Sequence, residues 1–186
     1  MSFKKLAIPD VILFKPNVFQ DDRGFFQESY NQKYFNEVIG KQINFFQDNH
    51  SFSNKYVLRG IHFQMDPSAQ GKLVRVASGK VFDIAVDLRV NSPTYGEWVG
   101  EILSGENYKQ LWIPEGFGHA FLSMEDHTHF LYKTTNPYDP KSESSIAWND
   151  QDLNIKWPLN DVDNFIVNDK DARALTFRET KGNHFK

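Results

Sequence analysis

A histidine and two cations lie close together in strand-forming sequence. Arg59 and His62 stand in the segment 58–64, and Lys72 follows ten residues after His62, beyond a Met-Asp-Pro-Ser turn cluster. If the chain doubles back at this turn, Lys72 lies beside His62 on a neighbouring strand. A base and a cation would then face one substrate.

Strand periodicity predicts which of these side chains share a face. Residues two apart lie on one face, so Arg59 is expected on the face of Ile61 and His62 on the face of Gly60. Gly60 has no side chain and would leave space beside the His62 ring. A hydrogen-bonded packing role is the competing interpretation of His62. Because Arg and Lys are seldom buried without a partner, the two cations favour an anionic ligand.

Composition limits the possible classes of protein. The 186 residues fit one domain, 1–186, and a net charge of -3 lacks the basic footprint of nucleic-acid binding. The absence of cysteine excludes disulfides, thiol nucleophiles and thiolate metal sites. The N-terminus has no signal-peptide core, and no run approaches the ~18 apolar residues of a membrane span. We therefore expect a cytoplasmic protein with neither membrane nor nucleic-acid partners.

Period-two patterns outnumber helical ones. The residues of segment 81–88 alternate between an apolar face and a more polar, solvent-facing one that carries Asp83 and Asp87. Ser78-Gly79 is a turn signal after the segment 73–77, so 73–77 and 81–88 are expected to form a hairpin. Further strands are predicted near 11–15, 24–30, 44–48, 98–103, 110–113, 119–123, 128–134 and 144–148. Helices are predicted over 33–39, ending at Gly40, and near 169–175.

The fold class that these elements predict is all-β. Many short strands separated by Gly, Pro, Asn and Asp indicate a sandwich or a barrel. Most of the 17 Phe residues are expected in its core. Phe19, Phe26 and Tyr138 lie beside turns instead, where packing in the core or the turn competes with a role in binding.

One short motif bears on metal binding. Pro114-Glu115-Gly116-Phe117-Gly118-His119 resembles the second half-motif of the cupin superfamily. In metal-binding cupins the first half-motif supplies two histidines on one strand face and a glutamate downstream. Here Gln64 replaces the second histidine, and Lys72 brings a positive charge to the place of the metal. The sequence therefore predicts a cupin without a metal site.

His127 and His129 form another candidate pair for metal binding. His127 and His129 would share one strand face. Glu125-Asp126 before them indicates a solvated hairpin tip, and no further ligand is evident. A metal site at this pair is not favoured.

Five blocks, in the same order, resemble the dTDP-4-dehydrorhamnose 3,5-epimerase family. They are Gln47-Asp48-Asn49-His50-Ser51, Leu58-Arg59-Gly60-Ile61-His62-Phe63-Gln64, Gln70-Gly71-Lys72-Leu73-Val74-Arg75, Trp112-Ile113-Pro114-Glu115-Gly116-Phe117 and Phe130-Leu131-Tyr132-Lys133. The similarity runs from about Pro9 to the C-terminal helix. It implies a cofactor-free homodimer with a cupin-type jelly roll (double-stranded β-helix) and a few short helices. It also implies a dTDP-4-keto-6-deoxyhexose substrate in dTDP-L-rhamnose synthesis.

The resemblance implies roles that suit this chemistry. Inversion beside a ketone needs a base on one face, an acid on the other and a cation for the enolate. His62 matches the family's base and Tyr132 its acid, and Lys72 would stabilise the enolate. A core tyrosine with a bonded hydroxyl is the competing interpretation of Tyr132.

A carboxylate bonded to the other ring nitrogen would fix the tautomer of His62. The family supplies it from a Ser-x-Lys-Asp element, which the segment 168–171, Asn-Asp-Lys-Asp, matches here. Asp171 is therefore the expected partner of His62. Because Asn replaces the usual Ser, Asp169 and Asp83 stay open as alternatives.

Other positions match the family's substrate contacts. Arg59 and His119 match contacts to the sugar and diphosphate, and Tyr138 matches the aromatic residue that stacks on thymine. The remaining substrate-binding candidates are Arg23, Glu28, Gln47, Asp48, Asn49, Lys72, Glu143 and Lys170. Ordinary solvated charge is the competing interpretation of the peripheral ones.

Two rival classes of function remain. One is a related dTDP-4-keto-sugar mono-epimerase or ketoisomerase, in which tyrosine placement restricts turnover to one carbon. The other is a non-catalytic sugar-binding jelly roll, which would need no base paired with a cation that stabilises an enolate.

Overall fold

The computed structural model describes residues 1–158 and 165–186, which are mostly in β-strands. The strands are β1 (Ser2–Lys5), β2 (Ile12–Lys15), β3 (Val18–Asp21), β4 (Gly24–Gln27), β5 (Gln47–Ser53), β6 (Leu58–Gln64), β7 (Lys72–Ser78), β8 (Lys80–Asp87), β9 (Trp98–Ser104), β10 (Gln110–Ile113), β11 (Phe117–Ser123), β12 (Thr128–Thr134) and β13 (Glu143–Ser145). The helical segments are α1 (Gln32–Ile39), α2 (Asp169–Ala172) and a 3-10 helix, Lys181–Asn183. The predicted all-β class is confirmed.

Two antiparallel sheets form a sandwich. Within the described residues, a six-stranded sheet has the order β1-β2-β10-β7-β12-β5, and a five-stranded sheet has the order β13-β6-β11-β8-β9. Strands that follow one another along the chain, such as β6 and β7 or β11 and β12, belong to opposite sheets. This repeated crossing is the arrangement of a jelly roll, so the predicted jelly roll is confirmed. β3 and β4 form a separate two-stranded hairpin.

The central core lies between the two sheets. Val74 and Val76 of β7 pack there with Val81 and Ala85 of β8. The other face of β8 carries Ile84, which belongs to a second apolar cluster on the outer side of the five-stranded sheet. The predicted alternation along β8 is therefore present. The more polar face, which was expected to face solvent, instead points into the sandwich, where the carboxylates of Asp83 and Asp87 are buried.

The predicted hairpin of 73–77 with 81–88 is wrong. β7 pairs with β10 and β12, whereas β8 pairs with β9 and β11. Gly79 turns the chain between the sheets at φ +80°, and a Cβ there would lie 2.3 Å from the Thr128 hydroxyl. A turn signal indicates a change of direction and does not identify the sheet that the next strand joins.

Several element boundaries differ from the prediction. The strand expected over 44–48 is β5, which runs from Gln47 to Ser53, because Phe45 packs on Phe35 and Trp112 outside the strand ladder. The segments expected over 24–30, 144–148 and 169–175 are the shorter elements β4, β13 and α2. β1 and β3 were not predicted, since both are largely exposed and lack an apolar face. Among the described helices, none is long and apolar enough to cross a membrane.

Helix α1 agrees closely with its prediction. The Asn31 side chain accepts a hydrogen bond from the Tyr34 N–H at its start, and Gly40 ends it in the left-handed conformation at φ 78°. Phe35 is buried in the aromatic cluster that α1 lays on the outer face of the six-stranded sheet. This cluster supports the outer side of β7, whose inner side carries Lys72.

Candidate active site

A cavity of about 240 Å³ brings together residues from both sheets. His62 comes from the five-stranded sheet, and Lys72 and Tyr132 come from the six-stranded sheet. The complete lining is Gln47, Asn49, His62, Phe63, Gln64, Gln70, Lys72, Tyr132, Tyr138 and Glu143. Three residues that the sequence assigns to catalysis thus face one space.

The side chain of His62 is hydrogen-bonded to Asp171. The distance from His62 Nε2 to Asp171 Oδ1 is 2.6 Å, and Asp171 Oδ2 accepts the Gly60 N–H at 3.1 Å. Asn168 Oδ1 accepts the Asp171 N–H at 2.7 Å and caps α2. Since an Asn at this position caps the helix as a Ser would, the departure from the family's Ser-x-Lys-Asp pattern leaves the register intact.

The other two carboxylates do not contact His62. Asp169 points into solvent and pairs with Arg173, and Asp83 pairs with His119. Burial pushes the pKa of Asp171 upward, but the hydrogen bond to His62 and the positive charge there bring it below its usual value. An ionised Asp171 is the state that can hold the ring of His62 in one tautomer.

Lys72 reaches the cavity from the sheet opposite His62. The prediction of a neighbouring strand is therefore wrong in topology, although the two residues do meet. Lys72 Nζ lies 3.5 Å from the His62 carbonyl oxygen, at the limit of a hydrogen bond. Burial lowers the pKa of Lys72 to about 8, against the opposing charges of Asp83 and Glu143.

Tyr132 lies on β12 with its ring against the central core. Its ring centroid is 6.0 Å from that of Phe130. Burial raises the pKa of Tyr132, and the charge of Arg59 acts in the opposite direction. The hydroxyl therefore keeps its proton at neutral pH and remains available as an acid.

Arg59 lies on a different face of β6 from the one predicted. The pairing of β6 with β11 shifts between His119 and Phe121, so β6 carries an extra residue between Arg59 and His62. This bulge turns Arg59 toward β5, where it donates hydrogen bonds to Ser53 Oγ at 3.2 Å and to the Phe52 carbonyl at 3.1 Å.

The prediction that Gly60 leaves open space beside the His62 ring is wrong, because strand β11 fills that space. A Cβ at Gly60 would lie 2.5 Å from the His119 carbonyl oxygen and 2.6 Å from the Ala120 Cβ. Its φ of +117° is also one that residues with side chains rarely adopt. Gly60 instead permits the close approach of β11 and donates to Asp171.

His119 is buried beside the cavity and bonded to Asp83. Its Nε2 lies 2.9 Å from Asp83 Oδ2. Burial lowers the pKa of His119, whereas the Asp83 carboxylate acts to raise it. His119 stands directly across from His62 in the β6–β11 ladder.

Four of the predicted substrate-binding residues form a linked group at the rim of the cavity. Gln47 Nε2 donates to Asn49 Oδ1 at 2.9 Å, and Gln47 Oε1 accepts the Tyr138 N–H at 2.9 Å. The Tyr138 hydroxyl donates to Glu143 Oε2 at 2.7 Å, which leaves the face of the ring exposed to solvent. Glu143 also forms an ion pair with Lys170 of α2. Lys170 thus reaches the rim, although it is not part of the lining.

Three predicted binding residues lie away from this cavity. Asp48 points to the outer face of the six-stranded sheet and bonds to Lys133 at 2.8 Å, because alternation along β5 separates it from Gln47 and Asn49. Arg23 is on the β3–β4 hairpin and pairs with Asp21 at 2.6 Å. Glu28 follows this hairpin and accepts a 3.3 Å hydrogen bond from Asn31.

Gln64, at the position of a cupin metal ligand, uses its amide within the protein. Its Nε2 donates to the Ser68 carbonyl at 2.6 Å, and its Oε1 accepts the Asp139 N–H at 2.9 Å. Within residues 1–158 and 165–186, no group of three or more His, Cys, Asp or Glu side chains could hold a metal ion.

The pair His127 and His129 is also arranged differently from the prediction. His127 precedes β12 at φ 54°, so it does not share a strand face with His129. His129 instead meets His50 of β5, with 2.9 Å between ring nitrogens.

Two residues that line the cavity were not singled out from the sequence. Gln70 donates from Nε2 to the Asn136 carbonyl at 2.7 Å, and Phe63 borders the cavity beside His62. The position of Gln70 two residues before Lys72, in the same block, is the signal that could have identified it.

A jelly roll whose inner cavity joins a histidine–carboxylate pair, a buried lysine and a tyrosine defines a cupin-type acid–base centre. The family model for dTDP-4-dehydrorhamnose 3,5-epimerase matches residues 5–179. The epimerase of that name from Salmonella typhimurium is 56% identical over 171 residues, which cover 92% of this chain and 93% of the relative. The chain belongs to the dTDP-4-dehydrorhamnose 3,5-epimerase family.

Solved structures show the same relationship. A dTDP-6-deoxy-D-glucose-3,5-epimerase from Legionella pneumophila, in complex with dTDP-4-keto-L-rhamnose, has a TM-score of 0.90 and 46% identity, and covers 94% of this chain and 92% of its own. A 3′-monoepimerase from Streptomyces bikiniensis, in complex with dTDP-quinovose, has a TM-score of 0.89 and 30% identity, and covers 95% of this chain and 88% of its own. The fold is thus shared by epimerases that invert one carbon and by epimerases that invert two.

Proposed function

We propose that this protein inverts C3 and C5 of dTDP-4-dehydro-6-deoxy-D-glucose and so forms dTDP-4-dehydro-L-rhamnose, without a cofactor, in dTDP-L-rhamnose biosynthesis. The observation that carries the proposal is the meeting of His62, Lys72 and Tyr132 around one cavity, with Asp171 bonded to His62. The similarity to proteins named as 3,5-epimerases over nearly the whole chain supports the substrate class.

His62 is the base that removes the protons from C5 and C3. Neutral imidazole is suited to this task near pH 7. Asp171 bonds one ring nitrogen, orients the other and stabilises the imidazolium that forms after proton transfer.

Lys72 stabilises the enolate oxygen at C4. Removal of a proton beside a ketone places negative charge on that oxygen, and a fixed buried cation lowers the energy of the charge more than water does. Its pKa of about 8 leaves the ammonium form dominant at pH 7.

Tyr132 returns a proton to the opposite face of the sugar. It belongs to the six-stranded sheet and His62 to the five-stranded sheet, so the two groups approach the cavity from opposite layers. Inversion needs an acid and a base on opposite faces, and this placement supports that division of roles.

The nucleotide and the diphosphate bind at the rim of the cavity and beside it. Tyr138 stacks on thymine, beside Gln47, Asn49, Glu143 and Lys170, which bind other parts of the substrate. Arg59 and His119 contact the sugar and the diphosphate. The exposed face of the Tyr138 ring, with its hydroxyl fixed on Glu143, supports the stacking role.

A mono-epimerase is the second candidate function. The Streptomyces bikiniensis 3′-monoepimerase shares this fold at 30% identity, so the fold does not distinguish one inversion from two. A non-catalytic sugar-binding protein is less compatible with a buried lysine beside a histidine–carboxylate pair.

Proton exchange tests the proposal directly. The purified protein is incubated with the 4-keto sugar in deuterated water, and the label is located by NMR. Deuterium at both C3 and C5 supports the 3,5-epimerase, and label at one carbon identifies a mono-epimerase. Label at neither carbon, with dTDP-sugar still bound, would show a binding protein and overturn the proposal.

We also propose that the protein works in the cytoplasm as a homodimer. Phe19, Phe25 and Phe26 are exposed on the β3–β4 hairpin, and Phe26 is 68% accessible. Arg23 and Glu28, which match family substrate contacts, lie at this hairpin and outside the cavity of their own chain. A second copy that buries the hairpin would cover the aromatic rings and could bring these polar groups to its partner's cavity.

Sedimentation of the wild-type protein and of Phe26→Asp tests this assembly. We expect a dimer that Phe26→Asp dissociates, whereas Phe3→Asp, a change at another exposed phenylalanine, should leave it intact. A wild-type monomer with full turnover would contradict the proposed dimer.

A further inference from the structure

Asp83 is a buried carboxylate beside the proposed active site and has no role in the proposed reaction. It lies on the inner face of β8 between Val81 and Ala85 and has no exposed surface. Its Oδ2 accepts the bond from His119, whereas its Oδ1 has no hydrogen-bond partner among the described residues. A buried carboxylate that lacks full pairing is costly, so Asp83 stays ionised only if a positive charge lies nearby.

Lys72 is a buried cation on the sheet that faces the strand of Asp83. It lies on the inner face of β7, the face that also carries Val74 and Val76, and is only 8% exposed. Burial acts against its ammonium form, and the Asp83 carboxylate is the foremost of the charges that favour it. The ionisable groups that face Lys72 from the surrounding strands are Asp83, Glu143, His119, His62 and Tyr132. Of the two carboxylates among them, Glu143 is already paired with Lys170 and bonded by Tyr138.

We propose that Asp83 is a positioning residue whose carboxylate keeps Lys72 protonated, so that its ammonium faces the substrate, and holds the ring of His119 in place. Asp83 acts through these two residues and touches no substrate atom. The inference rests on the proposed function for its catalytic meaning, since the enolate needs the charged form of Lys72. The charge relationship itself can be measured without any turnover.

The proposed charge relationship between Asp83 and Lys72 is reciprocal. Burial raises the pKa of Asp83, and the nearby His119 and Lys72 oppose that rise. In the proposed arrangement each of the two charges favours the other. If Asp83 were neutral instead, replacing it by Asn would remove no charge and would leave the titration of Lys72 unchanged.

The experiment follows the titration of Lys72 by NMR in protein labelled at the lysine Cε, with the signal assigned from Lys72→Arg. In Asp83→Asn the midpoint should fall by about 1 to 3 pH units, the range expected on loss of an adjacent opposite charge. The pH above which turnover falls should decrease together with this midpoint. Lys72 sets that limit, because the raised pKa of Tyr132 makes the tyrosine lose its proton only at a higher pH. Asp83→Glu retains the charge and should keep the midpoint near the wild-type value.

Asp87→Asn is the matched control. Asp87 is buried on the same strand, but its carboxylate pairs with Arg89, so its loss should lower stability and leave the Lys72 midpoint in place. An unchanged midpoint in folded Asp83→Asn would overturn the proposal. So would a fall of equal size in Asp83→Glu, since it would indicate altered packing rather than lost charge.

A measurement on the wild-type protein covers the case in which Asp83→Asn does not fold. The Asp83 carboxyl carbon should show the chemical shift of a carboxylate at pH 7, and a protonated shift there would refute the pairing. The two proposals can fail separately. If C3 and C5 of the sugar take up no deuterium while the titration midpoint of Lys72 still depends on Asp83, the proposed function is wrong and the proposed charge relationship stands.

Discussion

Asp171 Oδ1 lies 2.6 Å from His62 Nε2, although the two residues are 109 positions apart in the chain. Asp171 is 1% exposed, and its second oxygen accepts the Gly60 N–H from the same strand as His62. The carboxylate is thus held by two groups of β6 and cannot rotate away from the ring without losing a bond. This arrangement supports orientation of the imidazole as the function of Asp171.

Replacement of Asp171 by Asn should lower turnover sharply while the protein stays folded. The amide can occupy the same space but favours the wrong tautomer of His62, and changes of this kind cost up to ~10⁴-fold in serine proteases. We expect a fall of ~10²- to 10⁴-fold in kcat. Asp169→Asn, two residues away and exposed, is the matched control and should retain wild-type turnover. Equal losses in the two variants would assign the effect to α2 as a whole.

His62→Ala should lose most turnover and keep its affinity for dTDP. General base catalysis contributes typically ~10²- to 10⁴-fold, and the contacts of Tyr138 at the proposed nucleotide site do not involve the ring of His62. Turnover by NMR and dTDP binding by calorimetry check the two parts. A folded variant that exchanges substrate protons at the wild-type rate would remove His62 as the base.

Tyr132→Phe separates proton removal from inversion. The variant keeps the ring that packs near Phe130 but lacks the transferable proton, so it should fold normally. It should still exchange substrate protons with deuterated water through His62 and Lys72, while forming little inverted product. If exchange and inversion fall together in a protein that binds dTDP, Tyr132 positions the sugar or assists enolate formation. Unimpaired inversion would exclude it from proton transfer.

Exhaustive chelation should leave activity unchanged. The donor set beside His62 contains the Lys72 ammonium and the Gln64 amide, and this amide is already bonded to the Ser68 carbonyl and the Asp139 N–H. Such groups are poor ligands for a divalent transition metal. Activity lost with a chelator and restored by a divalent ion would contradict this prediction.

Acid should destabilise the C-terminal segment through His184. This ring accepts or donates bonds to the Tyr95 hydroxyl at 2.7 Å and the Thr180 hydroxyl at 3.0 Å, and burial lowers its pKa. The folded state therefore resists a proton that the unfolded chain accepts. The stability that neutral His184 contributes is present above the usual histidine pKa and is lost as pH falls through the folded value.

Urea unfolding at pH 7 and pH 5 measures this effect. The wild-type protein should lose more stability over that interval than His184→Gln, which cannot titrate. His129→Gln, a change at a less buried histidine, should behave as the wild type does. Identical pH dependence in wild type and His184→Gln would show that another group controls acid unfolding.

The strands themselves were largely predictable from the sequence. Alternation over 81–88 identified β8, and the segment 128–134 matches β12 residue for residue. Local periodicity carries this information because neighbouring side chains must point to opposite faces. The same alternation places Asp48 on the opposite face of β5 from Gln47 and Asn49. The resemblance to the family block gave all three residues as substrate-binding candidates and did not show this difference.

The blocks around His62, Lys72 and Tyr132 determined the family and the residue types of the site from sequence alone. Tertiary structure decided which carboxylate meets His62, because the family pattern favoured Asp171 but left Asp169 and Asp83 open as alternatives. It also brought Lys72 from the opposite sheet, and a bulge turned Arg59 away from the face that alternation predicted. Periodicity reports only neighbours along one strand, whereas sheet membership, bulges and buried charge pairs depend on contacts between distant segments.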